Sequence, residues 1–549
     1  MWKRMGVVVI VITGFFSILV SRIAWISSNQ KYQLAAIQQS EVKIPFNEGR
    51  GNIYDTNFIA LTSAEYEEYG LFSPGKASYR EWFESIQEGE KAQFYENIQR
   101  HTPFLVILAD GDEKPEHVFY KTKRYWSYPI APHLIGYLNA EGEGVSGLEK
   151  AGEQWMPNAS TQTEIWSATN AYGGYLNTLH QEPFEFHQKG SGQGLMLTLD
   201  AAIQRGVEAI AKEKMKQGAI VVMESATGKV RASVSMPLFH PDHVGLSIKK
   251  EDGSLLNRPF YAYNVGSVIK PLIAAKALSM GFSPYAEYEC SGSYQLNGHT
   301  YKCAYGIAHG TVNMQKALEE SCNTYFISLG LQLGAHAVHE IFDDVNFGKS
   351  TSILPGLQAA KGNMPSAEQL QDQGQLASIS FGQGSLLATP IQVAAAINVF
   401  ANNGIYIEPS FVQGFVNEYD KTIVQSLYHP IQKRVLDTSV VSQIQKMMDS
   451  VIEQGIGKAA NPVLTTAAGK TGTAQTGRSN ENGEEKLDAW FVGFYPAQNP
   501  RYTVVVLLDD GTYESKEAAK IFGNVVDVLY ALDGFPKADE KPPLQIKES

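Results

Sequence analysis

The chain has 549 residues, a net charge of -12, 44% hydrophobic and 19% charged residues, and three cysteines. That length exceeds one ordinary core, so two or three domains are expected. The acidic balance excludes a nucleic-acid binder built on a basic footprint. No zinc-type Cys/His spacing and no glycine-rich phosphate loop followed by lysine occurs, so no metal and no cofactor is expected.

Residues 1–4 carry Lys3 and Arg4, and an uncharged run rich in Val, Ile and Phe follows from Met5 to Ser21. Arg22 interrupts it and Ile23 to Ile26 continue it. A spanning helix needs about 20 apolar residues, so 5–26 is expected to be a transmembrane signal anchor with Arg22 snorkelling to the interface. The run ends without a clean small-x-small site, which argues against a cleaved signal. Lys3 and Arg4 should stay inside, which makes 1–4 cytoplasmic and leaves the rest extracytoplasmic in a single-pass protein of the cell membrane.

Residues 27–44 read as a linker. Residues 45–160 are mixed and aromatic-rich, with strand-like runs such as Thr102 to Leu108, and residues 161–193 read as a connection. From Gly194 the pattern is regular. Leu195 to Leu199 is an expected strand, and Asp200 is the N-cap of an expected helix from Ala201 to Met215. Strands Ala219–Met223 and Val230–Met236 are joined by a turn at Ala226–Lys229. After a long, mostly helical middle come strands Thr465–Gln475, Ala489–Tyr495 and Tyr502–Leu508. Their short spacing implies antiparallel neighbours. The expected fold is α+β and multidomain. Its C-terminal domain, 194–535, should hold a five-stranded antiparallel sheet of two early and three late strands flanked by helices, ending in a helix from Ser515 to Leu532. Residues 536–549, charged and containing Pro542-Pro543, read as a disordered tail.

Three short motifs carry the chemistry. Ser267-Val268-Ile269-Lys270 is an S-x-x-K sequence, and others start at Ser28, Ser40, Ser73 and Ser247. Only Ser267 opens an apolar helical run, and Pro271 requires the helix to begin close by. Lys270 then lies one turn on, on the same face. A lysine held in a dry pocket can lose its proton and take that of the serine. Ser321-Cys322-Asn323 is an S-x-N sequence expected within a helix, where a hydroxyl and a carboxamide facing Lys270 can relay a proton and hold a substrate amide. Lys470-Thr471-Gly472-Thr473 lies on an expected edge strand. There Lys470 would attract a carboxylate and Gly472 would let a substrate approach the backbone. The backbone N–H groups of Ser267 and Thr473 would form an oxyanion hole. Cys290 and Cys303 flank a loop-like stretch. An exported domain permits a disulfide between them, the alternative being two free thiols.

In the order S-x-x-K, S-x-N, K-T-G, these motifs resemble the penicillin-binding proteins and serine β-lactamases. Gly382-Gln383-Gly384 with Thr389-Pro390-Ile391-Gln392, His309-Gly310, and Ala489 to Phe494 resemble stretches of the class B members. Arg50 to Asp55 and Gly144 to Glu149 resemble the opening and close of that family's pedestal or dimerisation domain, expected here at 45–160. The resemblance implies a peptidoglycan D,D-transpeptidase acting on D-Ala-D-Ala stem peptides through an acyl-serine and acylated by β-lactam antibiotics. Ser267 is then the nucleophile and Lys270 the base, Ser321 and Asn323 relay and position, and Lys470, Thr471, Gly472 and Thr473 bind substrate. A polytopic membrane glycosyltransferase is the implied partner. The alternatives are a D,D-carboxypeptidase or β-lactamase-like hydrolase, and a scaffold or β-lactam sensor.

Overall fold

The computed structural model describes residues 2–32, 35, 41–47, 49–72, 83–99, 102–111, 114–115, 117–168, 184–250, 252–479, 483, 485–509, 511 and 515–533. The expected tail (536–549) and parts of the expected linker and connection lie outside these residues. The chain divides into two compact units. The first comprises Met1–Gly51, Ser63–Arg124 and Pro157–Gln193, and the second Asn52–Thr62, Tyr125–Met156 and Gly194–Ser549.

In the first unit, helix α1 (Trp2–Ser28) is 27 residues long with no residue buried, and it is long and apolar enough to cross a membrane. At 1.5 Å per residue it spans about 40 Å. Strands β1 (Glu41–Asn47), β2 (Glu65–Phe72), β3 (Phe104–Ile107), β4 (Val118–Lys123), β5 (Gln162–Ala168) and β6 (Phe184–Gln188) form two antiparallel three-stranded sheets, ordered β1-β5-β6 and β3-β2-β4. Phe72, Phe94 and Phe104 pack in one small core and Phe46, Leu71, Phe119 and Ile165 in another.

The second unit holds α2 (Ala201–Lys214), β7 (Gly218–Glu224), β8 (Val230–Met236), α3 (Lys270–Ser279), α4 (Met314–Glu319), α5 (Asn323–Asp344), α6 (Pro390–Ala401), α7 (Thr438–Glu453), β9 (Ala468–Ser479), β10 (Glu485–Tyr495), β11 (Tyr502–Leu508) and α8 (Ser515–Leu532). The five strands form one antiparallel sheet in the order β8-β7-β11-β10-β9, the expected arrangement, with β9 at an edge. Side chains alternate across a strand. Ala219, Val221, Trp490, Val492, Val505 and Leu507 therefore enter one core with α3, α5, α6 and α7. Ile220, Val222, Ala489, Phe491, Val504 and Val506 enter a second core with α2 and α8. A sheet covered on both faces needs apolar residues at every position, which is why these strands read as unbroken apolar runs.

Local chemistry sets where the helices begin. Asp200 caps α2, its carboxylate accepting from the N–H groups of Ala202 (2.9 Å) and Ile203 (3.1 Å). Asp55 adds a second carboxylate there, accepting from Ala201 N at 3.0 Å. This pairing ties residue 55 to the start of α2. The Arg50–Asp55 and Gly144–Glu149 stretches, expected to bracket the pedestal, place Asn52–Thr62 and Tyr125–Met156 in the second unit. Ile53 and Tyr54 lie parallel to Leu195 and Met196, and Leu148 is fully buried in the α3–α7 core. Helix α6 starts with a capping box. Gln392 N donates to Thr389 Oγ1 at 3.1 Å and Thr389 N to Gln392 Oε1 at 2.8 Å. Those reciprocal bonds, with Pro390 in the first turn, reduce the orphaned donors at the start of a wholly buried helix.

Candidate active site

A short 3-10 turn, Gly266–Ile269, runs directly into α3 and carries Ser267 half-buried at its start. Pro271 falls in the first turn of α3, where its missing N–H has no acceptor to lose. Lys270 is fully buried. Its Nζ donates to Asn323 Oδ1 at 2.7 Å, Ser321 O at 2.8 Å and Ser321 Oγ at 3.2 Å. Burial pushes its ammonium down to about 7, with the nearby Cys322 and Cys303 thiols acting in the opposite direction. A neutral amine has a lone pair, so the Ser321 hydroxyl can also donate to it. Among the described residues no hydrogen bond holds Ser267 Oγ, which leaves the hydroxyl free to turn.

The S-x-N sequence does not lie within a helix, as the spacing suggested. It forms the break between two helices. α4 ends at Glu319 and α5 begins at Asn323. Ser321 adopts the left-handed conformation, φ 51°. Cys322 N donates to Ala317 O at 2.8 Å and Ser321 N to Leu318 O at 3.2 Å. These two bonds make a Schellman closure with serine at the position glycine usually holds. The turn swings Ser321 and Asn323 together onto Lys270. Asn323 is tied on its other side, its Nδ2 donating to Lys302 O at 2.9 Å.

Lys470 and Thr471 are buried on the edge strand β9, while Thr473 is exposed. Lys470 Nζ donates to Thr471 O at 3.1 Å and Thr471 Oγ1 at 3.3 Å. Burial, and then the charge of Lys270, push the Lys470 ammonium well below its ordinary range. Gly472 lies against the serine turn. A Cβ there would lie 2.6 Å from Val268 Cγ1 and 3.3 Å from Val268 N, so the absent side chain admits the chain's own serine turn.

The sequence motifs left out part of this site. Gly266 N donates to Gly382 O at 2.9 Å, and Gln383 Nε2 donates to Thr473 O at 3.4 Å. The Gly382-Gln383-Gly384 stretch was visible only as a family likeness, and it bridges the serine turn and β9. Trp490 on β10, fully buried, donates its indole N–H to Asn264 O at 2.9 Å below the same turn.

The cysteines form no disulfide. Cys290, Cys303 and Cys322 are free thiols and all buried. Cys290 and Cys303 Sγ stand 3.8 Å apart, and Cys303 and Cys322 Sγ 3.9 Å. Of the two open alternatives, the structure has the free thiols, and both sulfurs also face the Thr324 hydroxyl.

Residues 218–527 match the family model of the penicillin binding protein transpeptidase domain. The chain is 32% identical over 446 residues to the peptidoglycan D,D-transpeptidase MrdA of Acinetobacter baumannii, across 72% of this chain and 64% of that protein, so it spans less than two thirds of that relative. It is 24% identical over 534 residues to stage V sporulation protein D of Bacillus subtilis, across 91% of this chain and 80% of that one. The D,D-transpeptidase domain of a peptidoglycan glycosyltransferase from Eggerthella lenta shares the fold. Its TM-score is 0.64 at 21% identity, over 89% of this chain and 99% of that one. With the family model matched over more than half its length and the three motifs gathered at one sheet edge, the chain belongs to the class B penicillin-binding protein transpeptidase family.

Proposed function

We propose that the protein is a membrane-anchored serine D,D-transpeptidase that cross-links peptidoglycan and is acylated by β-lactams. The observation that carries this reading is the buried Lys270, held by Ser321 and Asn323 one helical turn from a half-buried serine. Ser267 Oγ attacks the penultimate D-Ala carbonyl of a stem pentapeptide and Lys270 Nζ takes its proton. The N–H groups of Ser267 and Thr473 receive the oxyanion. The C–N bond to the terminal D-Ala breaks, and the departing nitrogen takes a proton back through Lys270 and Ser321. An amine of a neighbouring strand then attacks the ester, gives up a proton by the same route, and leaves a new amide with Ser267 restored. Asn323 fixes the relay and holds the substrate amide.

Lys470 and Thr471 are buried, so first contact with the terminal carboxylate falls to the exposed Thr473 hydroxyl, with Thr471 behind it. Lys470 acts from beneath through its charge when protonated. α1 is then a single-pass anchor with the catalytic domain outside the cell membrane, beside a polytopic membrane glycosyltransferase as partner. A gel with fluorescent penicillin on wild type and Ser267→Ala tests the reading. One labelled serine, abolished in the variant, is the expected result. Label mapping to Ser73 or Ser247 would overturn it.

A further inference from the structure

The outer face of the β1-β5-β6 sheet carries aromatic side chains that belong to neither core of the first unit. The inner face sends Phe46 and Ile165 against Leu71 and Phe119. Side chains alternate along a strand, so Lys43, Trp166, Phe184 and Phe186 point the other way, with Lys43 opposite Trp166 and Trp166 opposite Phe184. The Trp166 ring stacks on Phe186 with centroids 4.6 Å apart, lies tilted to Phe184 at 5.8 Å, and has Lys43 Nζ 3.9 Å from its centre. Phe184 is 44% exposed and Phe186 40%. Trp166 Nε1 donates to Glu164 Oε2 at 2.8 Å, which satisfies the one polar atom among the three rings. Glu41 and Glu164 share this face with Lys43, so it is an aromatic surface and not a basic one.

Register also fixes which end of the sheet this cluster occupies. Glu41, where the chain enters β1, lies opposite Ala168, and Trp166 is two residues, about 7 Å, further along the ladder. α1 ends at Ser28, 13 residues before Glu41. That link reaches about 45 Å at full extension. α1 itself is longer than the bilayer's hydrocarbon core of about 30 Å. Its outer end carries an interfacial group, Arg22 lying 4.7 Å over the Trp25 ring and Tyr32 meeting that ring edge-on at 5.7 Å. A short tether holds the cluster beside that interface at an effective concentration in roughly the millimolar range, so weak affinity is enough to keep it engaged. We propose that Trp166, Phe184 and Phe186 seat in the headgroup layer of the bilayer that holds α1, with Lys43 reaching a lipid phosphate. The partner is a lipid surface. Clustered exposed rings mark an interaction site where single ones do not, and Trp with Phe beside a lysine is the composition of an interfacial belt. Burial of ring surface is the drive, so seating depends little on anionic lipid or on salt. It lays the sheet on the membrane and restricts the swing that the link would otherwise permit. Seating rests on α1 being the membrane anchor and is independent of the transpeptidase chemistry.

The full chain is placed in phosphatidylcholine nanodiscs, with and without lipid brominated near the headgroup end of the acyl chain. Tryptophan emission is compared between wild type and Trp166→Phe. The difference between the two proteins reports Trp166, and the emission that Trp166→Phe retains includes Trp2 and Trp25 of α1. Brominated lipid should lower the Trp166 emission about twofold or more. That loss should persist when anionic lipid or salt is added. It should vanish when Phe184→Ser and Phe186→Ser are combined, measured against the same pair carrying Trp166→Phe; both positions are exposed, so the pair should fold. Penicillin labelling of the same nanodiscs reads the transpeptidase chemistry separately. Quenching that the serine pair retains in full would overturn the cluster as its cause, and quenching that needs anionic lipid would overturn the aromatic drive. Trp166 untouched by brominated lipid, with Trp166→Phe still quenched through α1, would overturn the seating and leave the face to a protein partner. No quenching in either protein would remove the anchor reading together with it.

Discussion

Gly382 and Gly266 meet backbone to backbone. Gly266 N donates to Gly382 O at 2.9 Å, and a Cβ on Gly382 would fall 1.8 Å from Gly266 O. Gly382 also has φ +89°, where a side chain is strained whatever the space. The turn bearing Ser267 is therefore set by a loop more than a hundred residues further along the chain. Gly382→Ala should displace that turn by a fraction of an ångström or more and lower the rate of penicillin acylation by about 100-fold. Time courses with fluorescent penicillin on folded protein check this, and a wild-type rate would dissociate the loop from the site.

Lys270→Met replaces a buried amine by an apolar chain of similar volume. Acylation should fall by about 10²- to 10⁴-fold, since the base is gone. The circular dichroism spectrum should match wild type, because packing is conserved. Near-normal labelling would mean that another group deprotonates Ser267.

Glu208 on α2 is buried and accepts from Ala131 N (2.8 Å) and Gln204 Nε2 (2.7 Å). Burial pushes its carboxyl up from 4.5 to about 7, the two hydrogen bonds opposing. A folded-state value above the unfolded one means that its contribution is complete below about pH 4.5 and is lost as pH rises through about 7. The loss amounts to about 3 kcal/mol by the alkaline side of that window. Glu208→Gln keeps both hydrogen bonds and cannot ionise. Denaturant melts of this variant should lose that part of the pH dependence, and an unchanged profile would contradict it.

Arg258 is almost fully buried, its Nε donating to Asp509 Oδ2 at 2.9 Å, with the Tyr263 hydroxyl donating to the same oxygen at 3.0 Å. Asp509→Ala strands a buried cation and should destabilise the unit by roughly 3–5 kcal/mol. The double replacement Arg258→Met with Asp509→Leu should recover most of that. Thermal melts of the three variants test the ordering.

The sheet was legible because both of its faces are covered, so each strand announces itself by an unbroken apolar run. Asp200 was legible because a cap acts within three residues of itself. The break at Ser321 was not, since Glu319-Glu320-Ser321-Cys322 carries neither the glycine nor the proline that usually marks a left-handed helix closure. Nor was the placement of residues 52–62, which pair through Ile53 with Leu195 far along the chain, or of 125–156, which bury Ile130, Leu134 and Leu148 in the same core. The cysteines stand 13 and 19 residues apart, so nothing local marks them as neighbours. Only the hairpin and the α4–α5 turn bring them together.

The left-handed Ser321 places this chain under two opposed pressures. Glycine at that position would relieve about 1 kcal/mol of backbone strain and complete the helix closure in its usual form. It would also delete the hydroxyl that Lys270 reaches at 3.2 Å. A search for heat-resistant variants that scored folding alone would thus collect Ser321→Gly and discard the relay, whereas selection on cell-wall synthesis would keep the costlier residue. The two screens, run on one library, should part company at this single codon.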